Sequence, residues 1–202
     1  MPGDVISDLF DGFAGNEDGH DYVLRGHEVR NEHAWIDGAN VTTPDCFLVS
    51  PEAVLAIEIK FNATASLDQL AKYVALIAGE EISTGYREWS SLVFIYPSDA
   101  WARFLEETSM SSGALGADHF HLLKESAKNE KVKSLFASKP EVIVDVLSRL
   151  SISCITWDEV YGKLNHLMDQ LGDARGERTL FTLMEGLAAE IKDHPLIEVG
   201  GE

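Results

Sequence analysis

The sequence predicts an α/β domain in which a mixed β-sheet is flanked by helices and followed by a helical C-terminal part. Apolar runs of strand length occur at 45–50, 53–61, 91–97 and 151–155. Segments of helical periodicity alternate with these runs and fill most of the chain after residue 118. The 202 residues, 45% hydrophobic and 25% charged, are enough for one domain with an ordinary core.

The N-terminal elements are short. Residues 4–13 have apolar side chains at helical spacing and predict a short amphipathic helix. Residues 22–36 alternate between apolar and polar types, which indicates a strand or a hairpin, and 37–40 is a turn. The runs at 45–50 and 53–61 are then close enough to form a hairpin.

The central elements follow in βαβ order. Residues 66–82 form a clear helix, because Leu70, Val74 and Ile77 recur at helical spacing. The apolar run at 91–97 predicts a buried strand, and Ser98 is a suitable cap for the helix after it.

The C-terminal part begins with a helix for which Ser138 is the expected cap, with Pro140 in its first turn. A short strand at 151–155 precedes a helix that opens with Thr156 and Glu159 as a capping box. A last helix is predicted at about 178–192.

The chain shows neither an internal repeat nor a dividing linker, so 1–202 is predicted to be a single domain. Residues 1–97 would form the sheet-containing core, and 98–202 the mostly helical remainder of the same domain. The N-terminus lacks the basic and apolar regions of a signal peptide, and no apolar run has the length of a membrane span. The sequence therefore predicts a cytoplasmic protein without membrane contact.

The net charge of −18 argues against a broad basic face that would bind phosphates nonspecifically. Any nucleic-acid role requires local basic residues, a metal, a partner protein or a high-salt cytoplasm.

Cys46 and Cys154 are too few for a disulfide framework or a four-cysteine cluster, and we interpret them as small core residues.

Two charged residues interrupt the apolar run AVLAIEIKF. Glu58 and Lys60 are two positions apart, so on a strand they point to the same face. A hairpin would bring Asp45 beside Glu58. Two carboxylates and a lysine suit a hard divalent cation such as Mg²⁺ or Mn²⁺, beside which Lys60 could orient a water molecule or act as a base.

This pattern resembles the PD-(D/E)XK nuclease superfamily, which has the restriction-endonuclease-like fold. Pro44 and Asp45 match the PD element, and Glu58, Ile59 and Lys60 match (D/E)XK after a 12-residue spacer. The resemblance extends over roughly residues 4–97.

The helix after the hairpin extends the resemblance. QLAKY places Gln69 and Tyr73 where the RecB-like and Cas4-like branch has its Q-x-x-x-Y element. The resemblance implies that these two residues support the site or contact the substrate backbone. The iron–sulfur members of this branch are excluded, since two cysteines cannot supply four ligands.

The resemblance implies a Mg²⁺- or Mn²⁺-dependent nuclease that hydrolyses phosphodiester bonds in DNA, acting alone, as a homodimer or in a protein complex. Asp45, Glu58 and the carbonyl of Ile59 would hold the metal, and Lys60 would position or activate the attacking water. Many members carry a further acidic ligand on the first helix. Here Asp8, or Glu28 on a later predicted strand, is the candidate for that ligand.

Each of these residues also has a purely structural interpretation. Asp45 could be a turn residue, and Glu58 with Lys60 could be a solvent-exposed ion pair. Gln69 fits a Ser-x-x-Gln capping box at the start of its helix, and Tyr73 could pack at the edge of that helix.

Two further functions fit the sequence. The first is a nuclease-like domain that does not cut and serves as an interaction module in a DNA-processing or phage-defence complex. The second is an acidic protein that mimics DNA and inhibits DNA-binding proteins.

The HFH sequence at 119–121 could suggest a metal site, but it is predicted to begin a helix, on which its two histidines diverge.

Overall fold

The structure is a computed structural model that describes residues 12, 20–24, 41–61, 65–97, 100–108, 110, 115–116, 118–172, 175–195 and 197. The strands are β1 (Val23–Leu24), β2 (Cys46–Val49), β3 (Ala53–Ile59), β4 (Trp89–Tyr96) and β5 (Leu150–Thr156). The helices with both ends in these ranges are α1 (Leu67–Thr84), α2 (Ala100–Thr108), α3 (His119–Ser126), α4 (Glu130–Ser138), α5 (Pro140–Arg149), α6 (Trp157–Gln170) and α7 (Arg175–Asp193).

The five strands form one mixed sheet in the order β1-β2-β3-β4-β5. β1, β2 and β3 are antiparallel neighbours, whereas β3, β4 and β5 are parallel. The antiparallel strands β2 and β3 are joined by a tight connection, residues 50–52. Each parallel pair needs a crossover, which α1 provides between β3 and β4, and α2 to α5 provide between β4 and β5. The predicted α/β class, with its mixed sheet between helices, is confirmed.

Helices cover both faces of the sheet. Val54 and Ala56 of β3 face a large core built with α1 and the helices up to α5. Leu55 and Ile57 face a second core built with α6 and α7. β3 is therefore buried on both faces, which explains why its sequence is nearly continuous in apolar residues.

Most of the predicted central elements are confirmed. The hairpin, the helix after it, the two later strands and the final helix occur as expected, with α1 ending at Thr84 and α7 beginning at Arg175. The predicted helix at 4–13, except residue 12, lies outside the described residues. The turn at 37–40, the Ser98 cap and most of the predicted strand at 22–36 lie outside them too. No helix within the described ranges combines the length and apolar character of a membrane span.

The prediction that Ser138 caps α5 is wrong. Ser138 is the last residue of α4, and Lys139 occupies the N-cap position of α5 without a side-chain cap hydrogen bond. The connection between the two helices is one residue long. Pro140 does begin α5 as predicted, because its fixed φ suits the first turn of a helix and its missing N–H has no partner there.

The capping box at the start of α6 is confirmed. Thr156 Oγ1 accepts a hydrogen bond from the backbone N–H of Glu159 at 3.2 Å. The Glu159 carboxylate in turn accepts one from the backbone N–H of Thr156 at 2.6 Å. Both bonds satisfy amides that the first helical turn leaves without intrahelical partners. They also fix the angle at which the chain leaves β5.

We expect Thr156→Ala to lower the free energy of unfolding by about 1 kcal/mol, the usual cost of removing an N-cap hydroxyl. Urea denaturation followed by circular dichroism measures this change. Thr182→Ala in α7 is the matched control, because its exposed hydroxyl only bonds the carbonyl of Arg178 within the same helix. Equal stability of Thr156→Ala and the parent protein would contradict the capping role.

Candidate active site

The polar residues of the predicted site meet at one edge of the sheet. The parallel strands β3, β4 and β5 all end there, and the antiparallel strand β2 begins there. Cys46 pairs with Ile57, so the same register places Asp45 opposite Glu58. The carboxyl ends of parallel strands are a usual position for binding sites in α/β folds.

Asp45 is held against the end of β3 by a backbone hydrogen bond. Its Oδ2 accepts from the N–H of Ile59 at 2.7 Å. This bond fixes the Asp45 carboxylate beside the strand that carries Glu58 and Lys60. The predicted proximity of Asp45 and Glu58 is present in the structure, and Asp45 is also more than a simple turn residue because it bridges β2 and β3.

Glu58 is the centre of the site. Only 7% of this residue is exposed, and its carboxylate receives three side-chain donors. Glu58 Oε1 accepts from Lys60 Nζ at 2.6 Å and from Gln69 Nε2 at 2.8 Å. Glu58 Oε2 accepts from the hydroxyl of Tyr73. Glu58 and Lys60 therefore do form an ion pair, but the pair is largely enclosed and belongs to a wider network.

Helix α1 presents Gln69 and Tyr73 to Glu58 from one side of the helix. The two positions are four residues apart, which places them one above the other, and Gln69 Nε2 lies 3.3 Å from the Tyr73 hydroxyl oxygen. Ser66 Oγ accepts from the backbone N–H of Gln69 at 3.2 Å and caps the helix. Ser66 therefore caps the helix through the backbone N–H of Gln69, while the Gln69 side chain donates to Glu58.

The Tyr73 side chain spans the core and the polar site. The residue is 1% exposed, and its ring meets the Phe94 ring edge-on with the centroids 6.4 Å apart. Burial and the adjacent Glu58 carboxylate both raise the pKa of Tyr73 far above its ordinary value. Tyr73 therefore stays protonated and acts as a hydrogen-bond donor to Glu58.

The Asp45 carboxyl holds its proton more tightly than an isolated aspartic acid does. Partial burial is the largest cause of its raised pKa, and the Glu58 carboxylate adds to it. The Ile59 amide and the Lys60 ammonium act in the opposite direction. Two carboxylates in one partly enclosed place favour a cation between them, because a cation relieves their repulsion.

The carboxylate oxygens of the site keep acceptor capacity that a metal ion could use. An ionised carboxylate has about four lone-pair sites. Glu58 Oε1 receives two donors and Oε2 receives one, and Asp45 Oδ2 receives the Ile59 amide. The described donors thus leave acceptor sites on both carboxylates. Mg²⁺ commonly binds through one or two carboxylates and completes its shell with water and phosphate oxygens, so the donor set fits it.

A third acidic ligand is not found in the described part of the chain. Asp8 and Glu28, the two candidates for it, lie outside the described residues. Within the described ranges, no group of three or more histidine, cysteine, aspartate or glutamate residues could hold a metal ion. The described site therefore consists of Asp45 and Glu58 as carboxylates, with the Ile59 carbonyl as the neighbouring backbone oxygen.

Two residues near the site were not predicted from the sequence. Burial raises the pKa of Tyr73, and the nearby Thr42 side chain acts in the opposite direction. Tyr96 accepts a hydrogen bond from the N–H of Ala65 at 2.8 Å and so fixes the segment just before α1. Burial raises the pKa of Tyr96 to about 12. The position of Tyr96 at the end of a parallel strand, directly before Pro97, could have indicated that it lies near the site.

Three other residues with reactive side chains, His119, Cys46 and Cys154, have contacts that indicate structural roles. His119 begins α3 as predicted, and its Nδ1 accepts from the N–H of Gly116 at 3.1 Å. Cys46 and Cys154 are free thiols, each half-buried against the core on its own face of the sheet. Burial raises the pKa of Cys46 to about 11 and that of Cys154 to about 12, so both remain thiols at neutral pH.

Comparison of the chain with protein-family models, with curated proteins and with solved structures gives no match in any of the three. The functional interpretation therefore depends on the residues and distances described above.

Proposed function

We propose that this protein is a metal-dependent nuclease that hydrolyses phosphodiester bonds in DNA. The observation that carries the proposal is the environment of Glu58, a buried carboxylate at the carboxyl end of a parallel strand, with Asp45 directly before the adjacent strand β2. Burying a charge is unfavourable unless it is paired and hydrogen-bonded. Three donors converge on Glu58 and hold it in one orientation, as a metal ligand requires.

The metal would be Mg²⁺ or Mn²⁺, held by Asp45, Glu58 and the carbonyl of Ile59. Both ions prefer the hard oxygen ligands that this edge of the sheet offers. When bound, such an ion polarises a phosphoryl oxygen and lowers the pKa of a coordinated water molecule. Asp45 directly precedes β2 and is bonded to the Ile59 amide of β3, which carries Glu58, so the two carboxylates are held close together before any ion binds.

The other residues of the site have positioning roles in this proposal. Gln69 and Tyr73 orient the Glu58 carboxylate by donating to its two oxygens. Lys60 lies 2.6 Å from Glu58 Oε1 at the partly exposed end of the network. Its ammonium group can hold a water molecule in line with a phosphate, and it offsets negative charge on that phosphate as the bond breaks.

A second candidate is a nuclease-like interaction module without catalytic activity. The observation that favours it is the saturation of Glu58 Oε1, which already receives Lys60 and Gln69. In such a module the ion pair would take the place of the metal. The two candidates differ in a measurable property, because only the nuclease needs Mg²⁺ or Mn²⁺ at Asp45 and Glu58.

The test is cleavage of labelled single- and double-stranded DNA by the purified protein with Mg²⁺, with Mn²⁺ and with EDTA. We expect cleavage with either metal, none in EDTA, and loss of cleavage in Asp45→Asn and Lys60→Met. Lys192→Met is the matched control, since Lys192 is exposed in the last turn of α7.

Cleavage that persists in Asp45→Asn and Lys60→Met would contradict the mechanism. Absence of cleavage together with absence of Mn²⁺ binding would favour the interaction module instead. Thermal unfolding of each variant is measured in parallel. It shows whether a variant that does not cleave DNA is still folded.

A further inference from the structure

One short segment reverses the charge of the chain. Residues 124–139 contain five of the nine lysines and only two acidic residues, a net charge of +3. The remaining 186 residues carry −21. The segment includes the end of α3, the connection after it and the whole of α4. A positive segment in so acidic a chain is the place where an anionic ligand would meet the least repulsion.

This segment is attached to the helix that builds the candidate active site. The backbone N–H of Lys128 donates to Asp68 Oδ1 at 2.7 Å. Lys72 Nζ lies 2.7 Å from Asp68 Oδ2. Asp68 is the neighbour of Gln69, which donates to Glu58. Asp68 thus links the α3–α4 connection to α1, directly beside the residue that donates to Glu58.

The packing of α3 and α4 directs their apolar side chains into the core and leaves Lys124 and Lys128 exposed. Leu123 and Val132 are buried, whereas Lys124 and Lys128 are exposed and Lys131 is half-buried. Asn129 caps α4 by accepting from the backbone N–H of Lys131 at 2.9 Å, which fixes the turn between the two helices. Lys124 near the end of α3 and Lys128 in the capped turn are therefore exposed, and Lys124 Nζ lies 5.9 Å from the centre of the Phe120 ring.

We propose that Lys124, Lys128 and Lys131, the α3–α4 basic surface, bind the phosphate backbone of DNA beside the candidate active site. The proposal rests on the proposed nuclease function and identifies where this acidic protein would hold its substrate. Phosphate contacts from lysines do not read sequence but fix the register of the nucleic acid. Because the α3–α4 connection is bonded to Asp68, the neighbour of Gln69, a DNA strand held on this surface would be anchored on the side of the sheet where α1 presents Gln69 to Glu58.

Equilibrium binding of fluorescein-labelled DNA, measured by anisotropy in EDTA from 20 to 200 mM salt, tests the proposal without cleavage. We expect Lys124→Gln/Lys128→Gln to bind about tenfold more weakly near 0.1 M salt, and the slope of log affinity against log salt to fall in magnitude by about 2, as counterion release predicts for two lost phosphate contacts. Arg178→Gln/Lys192→Gln in α7 is the control, because it removes the same charge from exposed positions on the other face.

Equal weakening in both double variants would assign the effect to net charge and overturn the proposal. An unchanged affinity in Lys124→Gln/Lys128→Gln, or absence of DNA binding by the parent protein, would also overturn it. DNA binding that depends on Lys124 and Lys128 in a protein that never cleaves would support the basic surface while contradicting the nuclease function. The binding assay therefore tests the basic surface, and the cleavage assay separately tests the nuclease function.

Discussion

Glu58→Gln is expected to abolish both Mn²⁺ binding and DNA cleavage. The substitution keeps the size of the side chain but removes its charge and half of its acceptor capacity. Loss of residues that merely orient a metal ligand typically costs about 10- to 100-fold in affinity or activity, so we expect removal of the ligand itself to lower the cleavage rate by more than about a thousandfold. Isothermal titration with Mn²⁺ and single-turnover cleavage measure the two effects.

Glu52→Gln is the matched control for this prediction. Glu52 lies in the turn at the opposite end of the same β2–β3 hairpin and is exposed. The same chemical change there should leave Mn²⁺ binding and cleavage unaltered. If Glu58→Gln bound Mn²⁺ as tightly as the parent protein, the metal site would have to be elsewhere and the proposed function would lose its main support.

Arg149→Met is expected to lower the free energy of unfolding by about 3–5 kcal/mol, the cost of leaving a buried carboxylate without its ionic partner. Arg149 NH2 lies 2.8 Å from Glu81 Oε2, and only 5% of the Glu81 side chain is exposed. Burial opposes the charge of Arg149, but hydrogen bonds to Glu81 and Asp145 offset it and raise its pKa. Arg149 also donates to the carbonyl of Arg87, which joins α5 to the start of β4.

The double variant Arg149→Met/Glu81→Gln separates the ion pair from the packing. Removing both charges should recover much of the lost stability, since the uncompensated carboxylate is then absent. Urea denaturation of the two variants and of Arg178→Met, an exposed arginine of α7, provides the measurement and its control. A decrease below about 1 kcal/mol for Arg149→Met would mean that water or another residue satisfies Glu81 in the variant.

The sequence predicted the site better than it predicted distant contacts. Glu58 and Lys60 stood out because charges are rare in a run that is otherwise apolar, and their shared face follows from strand geometry. The resemblance to the Q-x-x-x-Y element indicated Gln69 and Tyr73, and their spacing of four residues places them on one side of a helix. All of these residues lie within one βα unit, where local periodicity determines which side chains meet.

Other features could not be predicted because they depend on contacts between remote segments. Arg149 and Glu81 are 68 positions apart, and nothing in either local pattern indicates their pairing. Ser138 failed as a cap because α4 extends through it, and its local sequence does not reveal where the preceding helix ends. Thr42 precedes β2 in an irregular segment, so no periodicity indicated its position near Tyr73.

The order of the strands in the sheet has a consequence for synthesis of the chain. Each strand pairs with the strand before it in the sequence, so the sheet can assemble from its N-terminal side while translation continues. In the part of the chain that the structure describes, α6 and α7 supply most of the cover over the face of Leu55, Ile57 and Val93, and they are the last helices to emerge from the ribosome. Until then the nascent chain exposes a continuous apolar surface, which is the stage at which a chaperone would be most needed.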